Sequence, residues 1–231
     1  KPDAPSSNVI RHLYKDIAQK LWICTNDGIS YFNEENNSFS QLNFTNTNDF
    51  GNINTTLLHQ INDESFLAII NGRLFNFNLN DLILNRIEIE DLNTRILHFT
   101  SDSSRNFYIA TGSGSIYKAD SLLNKISFMY QVAAGTVETL SYFNNQLWIG
   151  YNNHGIEIIN DNGEQLNFLK REKEGKQHII GNRVRRIIKR NNNEVWIGTQ
   201  GGITVIRQDG NYDISPNIQN GLPHEGIFDL F

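Results

Sequence analysis

One short pattern recurs along the chain, and it limits the fold more than any other feature. Leu21-Trp22-Ile23-Cys24-Thr25-Asn26-Asp27-Gly28-Ile29, Leu147-Trp148-Ile149-Gly150 through Gly155-Ile156, and Val195-Trp196-Ile197-Gly198-Thr199-Gln200-Gly201-Gly202-Ile203 share one order: an aliphatic residue, Trp-Ile, a small residue, a polar turn, Gly and Ile. Phe107-Tyr108-Ile109-Ala110 through Gly114-Ser115-Ile116 repeats it with tyrosine in the tryptophan place, and Ser65-Phe66-Leu67-Ala68 through Gly72 repeats it more loosely. The anchor aromatics are therefore Trp22, Phe66, Tyr108, Trp148 and Trp196, spaced by 44, 42, 40 and 48 residues. A period near ~43 filled with short runs of Phe, Ile, Tyr and Val is a repeat of strands, since helical arrays of similar period need amphipathic helices.

Each unit divides into the same parts. A short apolar stretch precedes the anchor, as in Val9–Tyr14, Arg95–Phe99 and Val184–Ile188, and reads as a first strand. Polar turns such as Phe143-Asn144-Asn145-Gln146 follow, then the anchor run as a second strand. Gly-Ile opens the third strand, and Ser38–Leu42, Ile126–Tyr130 and Gln165–Leu169 read as fourth strands. The predicted fold is an all-β propeller of four-stranded antiparallel blades. Residues 1–231 form a single, partial propeller domain with blades near 6–45, 53–90, 94–132, 136–176 and 182–219. Residues 220–231 read as the start of a sixth blade, so the expected ring is larger, with six to eight blades.

Two positions in the pattern have physical reasons. Glycine after the anchor run supplies the positive φ of a tight turn. The small residue two places after the aromatic (Cys24, Ala68, Ala110, Gly150, Gly198) is expected to let the neighbouring sheet approach closely. Charge adds an exclusion. A formal net charge of −5 with no basic stripe argues against nucleic-acid binding. A single cysteine, Cys24, rules out an intrachain disulfide framework. Cys24 stands where sister repeats have Gly or Ala, so it reads as a buried small residue rather than a nucleophile.

The Leu-Trp-Ile-Gly-Thr-x-x-Gly-Ile pattern, with Asn220-Gly221-Leu222-Pro223 ahead of a first strand, resembles the two-component regulator propeller repeat. The resemblance is clear in the first, fourth and fifth units, weaker in the third and poor in the second. It implies the periplasmic sensor region of a Bacteroidetes hybrid two-component histidine kinase. Such a parent would carry a membrane helix and kinase outside this segment. The implied role is recognition of a glycan-derived oligosaccharide, with a possible homodimer formed through the parent ectodomain and no enzyme activity in this segment. Two other functions stand beside it: a protein-interaction scaffold, and a propeller lyase or glycan hydrolase, which would need His, Glu or Asp clustered at the channel mouth.

The candidate ligand residues lie in loops, because propeller rims are built from second-to-third-strand loops and blade-to-blade linkers. They are Asn26, Asp27, Asn71, Ser113, Asn153, His154 and Gln200, joined by Arg183 in a linker. Each also reads as an ordinary polar turn residue. No catalytic residue, metal ligand or cofactor site is expected. The six histidines lack metal-ligand spacing, and Gly112-Ser113-Gly114-Ser115 lacks the Lys and helix of a phosphate loop. His12, His59 and His98 are expected in equivalent first strands, next to apolar positions.

Overall fold

The structure is a computed structural model that describes residues 4–47, 52–89, 93–133, 135–171, 179–191, 194–207, 212–213, 226–227 and 229–230. Every regular element in it is a strand, and the strands form five four-stranded antiparallel sheets, each a simple meander. The first sheet comprises β1 (Ile10–Lys15), β2 (Leu21–Thr25), β3 (Gly28–Asn33) and β4 (Ser38–Gln41). The second holds β5 (Thr55–Gln60), β6 (Ser65–Ile70), β7 (Arg73–Asn78) and β8 (Asn85–Ile87). β9 (Ile96–Ser101), β10 (Phe107–Thr111), β11 (Ser115–Ala119) and β12 (Ile126–Gln131) make the third. β13 (Val137–Phe143), β14 (Gln146–Tyr151), β15 (Ile156–Asn160) and β16 (Gln165–Leu169) make the fourth. The fifth is β17 (Val184–Asn191), β18 (Glu194–Thr199), β19 (Gly202–Arg207) and β20 (Tyr212–Asp213). These are the five expected propeller blades, and each is seeded by one copy of the sequence pattern. The chain divides into two compact units, residues 1–96 with the first two blades and residues 97–231 with the last three.

Within each unit the anchors weld neighbouring blades. Trp22 is buried with its ring 4.9 Å from that of Phe66, and Phe66 stacks on Phe77 at 5.5 Å. Such aromatic pairs add about 0.5–1.5 kcal/mol beyond the area they bury. In the second unit Tyr108 and Tyr142 stack at 4.8 Å, and both hydroxyls donate to the Asp161 carboxylate, at 2.6 Å and 2.9 Å. Burial would raise the Asp161 carboxyl, but these two hydroxyls and the nearby Lys118 outweigh it and hold that carboxyl below its usual range. The indole N–H groups of Trp22 and Trp196 likewise find carboxylates, Asp16 at 2.9 Å and Glu194 at 3.1 Å. The Nε1 of Trp148 is buried without a hydrogen-bond partner among the described residues.

The small-residue slot behaves as its chemistry requires. Cys24, Ala68 and Ala110 are fully buried, and burial pushes the Cys24 thiol pKa up, which keeps it unreactive. At Gly150 an added Cβ would lie 2.7 Å from Thr139 Cγ2 and 2.8 Å from Val184 Cγ1, the latter on the first strand of the next blade. At Gly155, with φ +86°, it would meet the Leu169 carbonyl oxygen at 2.1 Å. His12, His59 and His98 lie on β1, β5 and β9, the first strands of their blades, as expected. His12 sits opposite Cys24, whereas His59 sits opposite Leu67, one residue out of step with the Ala68 position. Most of the expected opening strand at 220–231 lies outside the described residues. Of the part described, Ile227 donates its backbone N–H to the Thr199 carbonyl at 3.0 Å, and Arg186 pairs with Asp229 at 3.2 Å.

Replacing Gly150 by valine should destabilise the protein by about 1–3 kcal/mol, the usual cost of overpacking a filled core. Urea denaturation followed by tryptophan fluorescence measures it. An unchanged midpoint would show that the β13, β14 and β17 contact is not tight.

Candidate functional site

The candidate rim is built by a hydrogen bond repeated in four blades. The first residue of each second-to-third-strand loop donates its backbone N–H to the residue just before the first strand of the same blade: Asn26 to Val9, Asn71 to Asn54, Asn152 to Thr136 and Gln200 to Arg183. The bond holds each loop against its incoming linker, so loop side chains are presented from a fixed frame. Threonines at the ends of second strands brace the turns from inside. The Thr25 hydroxyl donates to the Gly28 carbonyl at 3.3 Å, that of Thr111 to Ser115 at 3.0 Å and that of Thr199 to Gly202 at 3.0 Å.

In the first unit the expected ligand residues serve their own turns. Asn26 accepts from Arg11 Nε at 2.7 Å, and Asn71 spans its linker by donating to the Asn52 carbonyl at 2.6 Å. Asp27 is exposed, with its backbone N–H held by Thr25 at 3.0 Å. In the second unit two linkers stitch three loops together. Gln131 Nε2 donates to the Ser113 carbonyl at 3.0 Å, and four residues later Gly135 lies against Tyr151 and His154. Gly155 then donates to the Asn182 carbonyl at 2.9 Å, and Gln200 to the Arg183 carbonyl at 3.0 Å. Ser113, Asn153, His154, Arg183 and Gln200 thus share one stitched series of loops and linkers. Asn153, His154 and Gln200 are exposed, and the His154 ring leans on Tyr151 and Phe168 at 5.6 Å and 5.0 Å.

Two groups of functional interest were not among the sequence candidates. The first is Glu138 with Arg185, next to Arg183. First strands β1, β5, β13 and β17 all carry a register shift at their start, between Ile10 and His12, Thr55 and Leu57, Val137 and Thr139, and Val184 and Arg186. The bulged residue is Arg11, Thr56, Glu138 or Arg185, and a bulge re-aims its side chain away from the regular alternation. Glu138 Oε1 accepts from Arg183 Nη2 at 3.3 Å and from Arg185 Nη1 at 3.2 Å. Two polar residues in a row between apolar ones, as in Val137-Glu138-Thr139-Leu140, break strand alternation and mark the bulge in the sequence.

The second group is centred on Glu157, only 3% exposed on β15. Its register equivalents are Ser30 and Thr204, opposite Ile23 and Ile197 as Glu157 is opposite Ile149. Those hydroxyls accept the backbone N–H of the incoming linker, from Ser6 and Ile180, both at 3.0 Å. Glu157 instead takes the hydroxyls of Tyr130, at 2.7 Å, and Tyr151. Burial and the Glu157 carboxylate push both phenols up, Tyr130 to about 12. With each oxygen engaged and the side chain sealed from solvent, Glu157 locks blades three and four together rather than acting as an acid or base on an outside substrate. Clefts elsewhere carry less chemistry. One of about 410 Å³ lies beside Lys20, Tyr31 and Glu34 in the first unit, and one of about 280 Å³ beside Trp148, Leu166 and Ile206 in the second.

No protein-family model matches the chain, and no curated protein does. Solved structures do match. The extracellular domain of a protein assigned as a hybrid two-component system from B. thetaiotaomicron aligns at TM-score 0.64 and 17% identity, over 95% of this chain and 36% of that one. A second B. thetaiotaomicron extracellular domain, assigned to a hybrid two-component or one-component system, aligns at TM-score 0.51 and 12% identity, over 92% and 36%. A computationally designed protein, Ika8, aligns at TM-score 0.60 and 16% identity, over 86% and 58%. The chain therefore spans about a third of the length of the natural proteins named. These likenesses carry the fold. That a designed protein shares it shows the fold to be separable from any one function.

The phenols give a pH signature. An unfolded tyrosine ionises near pH ~10. Tyr130 and Tyr151 hold their protons more tightly when folded, so their stabilisation is complete below that pH and is lost as pH rises through ~10 towards 12 and beyond. Denaturant midpoints at about pH 8 and about pH 11 should fall less in Tyr130→Phe than in the parent. Equal falls would show that the Tyr130–Glu157 contact does not form.

Proposed function

We propose that this chain is the ligand-recognising part of an extracytoplasmic sensor in a two-component signalling protein. In this reading the stitched rim of the second unit binds a glycan-derived oligosaccharide in the periplasm, and the signal passes to a histidine kinase outside this segment. The blades belong to a ring of more than five, continued by other parts of the same protein. The observation that carries the reading is the rim itself. Amide, imidazole and guanidinium groups of Asn153, His154, Gln200 and Arg183 stand on loops fixed by backbone hydrogen bonds to two linkers. Polar groups on loops fixed in this way suit sugar hydroxyls, because little backbone freedom is lost on binding. The two extracellular domains from signalling proteins give the reading its cellular context.

The test is thermal melting of the purified chain against a panel of neutral and acidic oligosaccharides. A ligand at about 100 times its Kd adds about 2.7 kcal/mol of stability, a shift of several degrees. One class should raise Tm, and the double variant Asn153→Ala, Gln200→Ala should abolish the rise without lowering the unliganded Tm. A panel that produces no shift would remove direct glycan recognition by this segment.

A further inference from the structure

We propose that Arg183 and Arg185 form a site for the carboxylate of an acidic sugar; the proposal rests on the oligosaccharide reading above and adds a charge requirement to it. The two guanidinium groups meet at one carboxylate oxygen, Glu138 Oε1, at 3.3 Å and 3.2 Å, and the trio has a formal charge of +1. The three side chains are 34%, 24% and 23% exposed, open enough to reach and dry enough for charge to matter. Arg183 Nε is shielded from solvent and has no hydrogen-bond partner among the described residues. A buried N–H without an acceptor is costly.

Position and shape favour the same ligand. Glu138 and Arg185 are bulge residues on adjacent first strands, so both leave the regular ladder at the end of the strand nearest the loops. The Arg183 carbonyl accepts the Gln200 backbone N–H, which anchors the Gln200 loop next to Arg183. Of the neighbouring described cations, Arg186 pairs with Asp229 at 3.2 Å and Lys189 bonds Asn144 at 2.9 Å. A guanidinium presents planar, paired donors that match a carboxylate, and Glu138 Oε1 takes only one nitrogen of each arginine.

The experiment is calorimetric titration of the purified chain with trigalacturonate, a neutral galactose trisaccharide and a sulfated disaccharide. Trigalacturonate should bind about tenfold or more tighter than the neutral sugar, a difference of about 1.4 kcal/mol. Arg183→Gln should erase that preference, while Glu138→Gln, which removes the competing carboxylate, should strengthen trigalacturonate binding. Near-UV circular dichroism verifies that both variants are folded. Opposite effects of the two variants are the mark of a charge site, because a merely structural role would weaken binding in both. Acidic and neutral sugars binding equally would overturn the anion site and leave the glycan reading standing. Acidic binding that survives Arg183→Gln would place the site elsewhere and overturn the proposal. Preference for the sulfated sugar alone would overturn the carboxylate assignment. Absence of binding by any saccharide would overturn this proposal and the reading beneath it together.

Discussion

How closely one blade's second strand can be approached by the next blade's first strand governs the rest of the molecule. At Gly150 the gap leaves no room for a methyl group between Thr139 and Val184, and at Gly198 none beside Ile227. Cys24, Ala68 and Ala110 occupy the same place in the other blades and are fully buried. Because this slot stays small, the large aromatic two residues earlier can turn towards a neighbour and fill the wider part of the wedge. Trp22 against Phe66 and Tyr108 against Tyr142 are the result. Along one strand a small buried slot thus follows a large buried anchor.

The polar heads of the anchors add direction to this packing. Burying an indole or phenol leaves a donor that must be satisfied, and a carboxylate at a strand turn does so in three blades: Asp16 for Trp22, Asp161 for Tyr108 and Glu194 for Trp196. In the fourth blade the residue six before the anchor is Tyr142, which serves Asp161 instead, and the Trp148 indole N–H has no hydrogen-bond partner among the described residues. Blades three and four are thus joined at both ends, by Asp161 near one set of turns and by Glu157 near the other. The concentration of such locks between these two blades is a departure from strict repetition.

The blades were legible because their determinants are local. An aromatic, a small residue and a glycine at fixed offsets are all read along one strand and its turn, and Trp22, Tyr108, Trp148 and Trp196 each mark a strand that formed. The second blade was read more loosely through Phe66, yet its four strands formed as the repeat required. The site was only partly legible. Loops supply polar residues in abundance, so composition selected Asn26 and Asn71, which the fold spends on their own turns, as readily as Gln200 and Arg183. Glu157 and Glu138 were missed for a different reason. Their roles come from partners on other blades, Tyr130 in one case and the two arginines in the other, and no spacing within one repeat encodes those encounters.

A repeat protein separates two kinds of position, and the distinction locates function more sharply than composition does. Positions filled alike in every blade answer the packing problem that every blade shares, so they say nothing about a ligand. A bulge occurs at the start of four first strands, which makes it architecture; what it presents is arginine, threonine, glutamate or arginine, which makes the side chain free to vary. The same holds for the third-strand latch, where serine and threonine catch a linker amide and glutamate does not. Function on this scaffold is therefore expected where a shared backbone device carries an unshared side chain. In the second unit that condition is met where Glu138 and Arg185, both on bulges, converge with Arg183 beside the Gln200 loop.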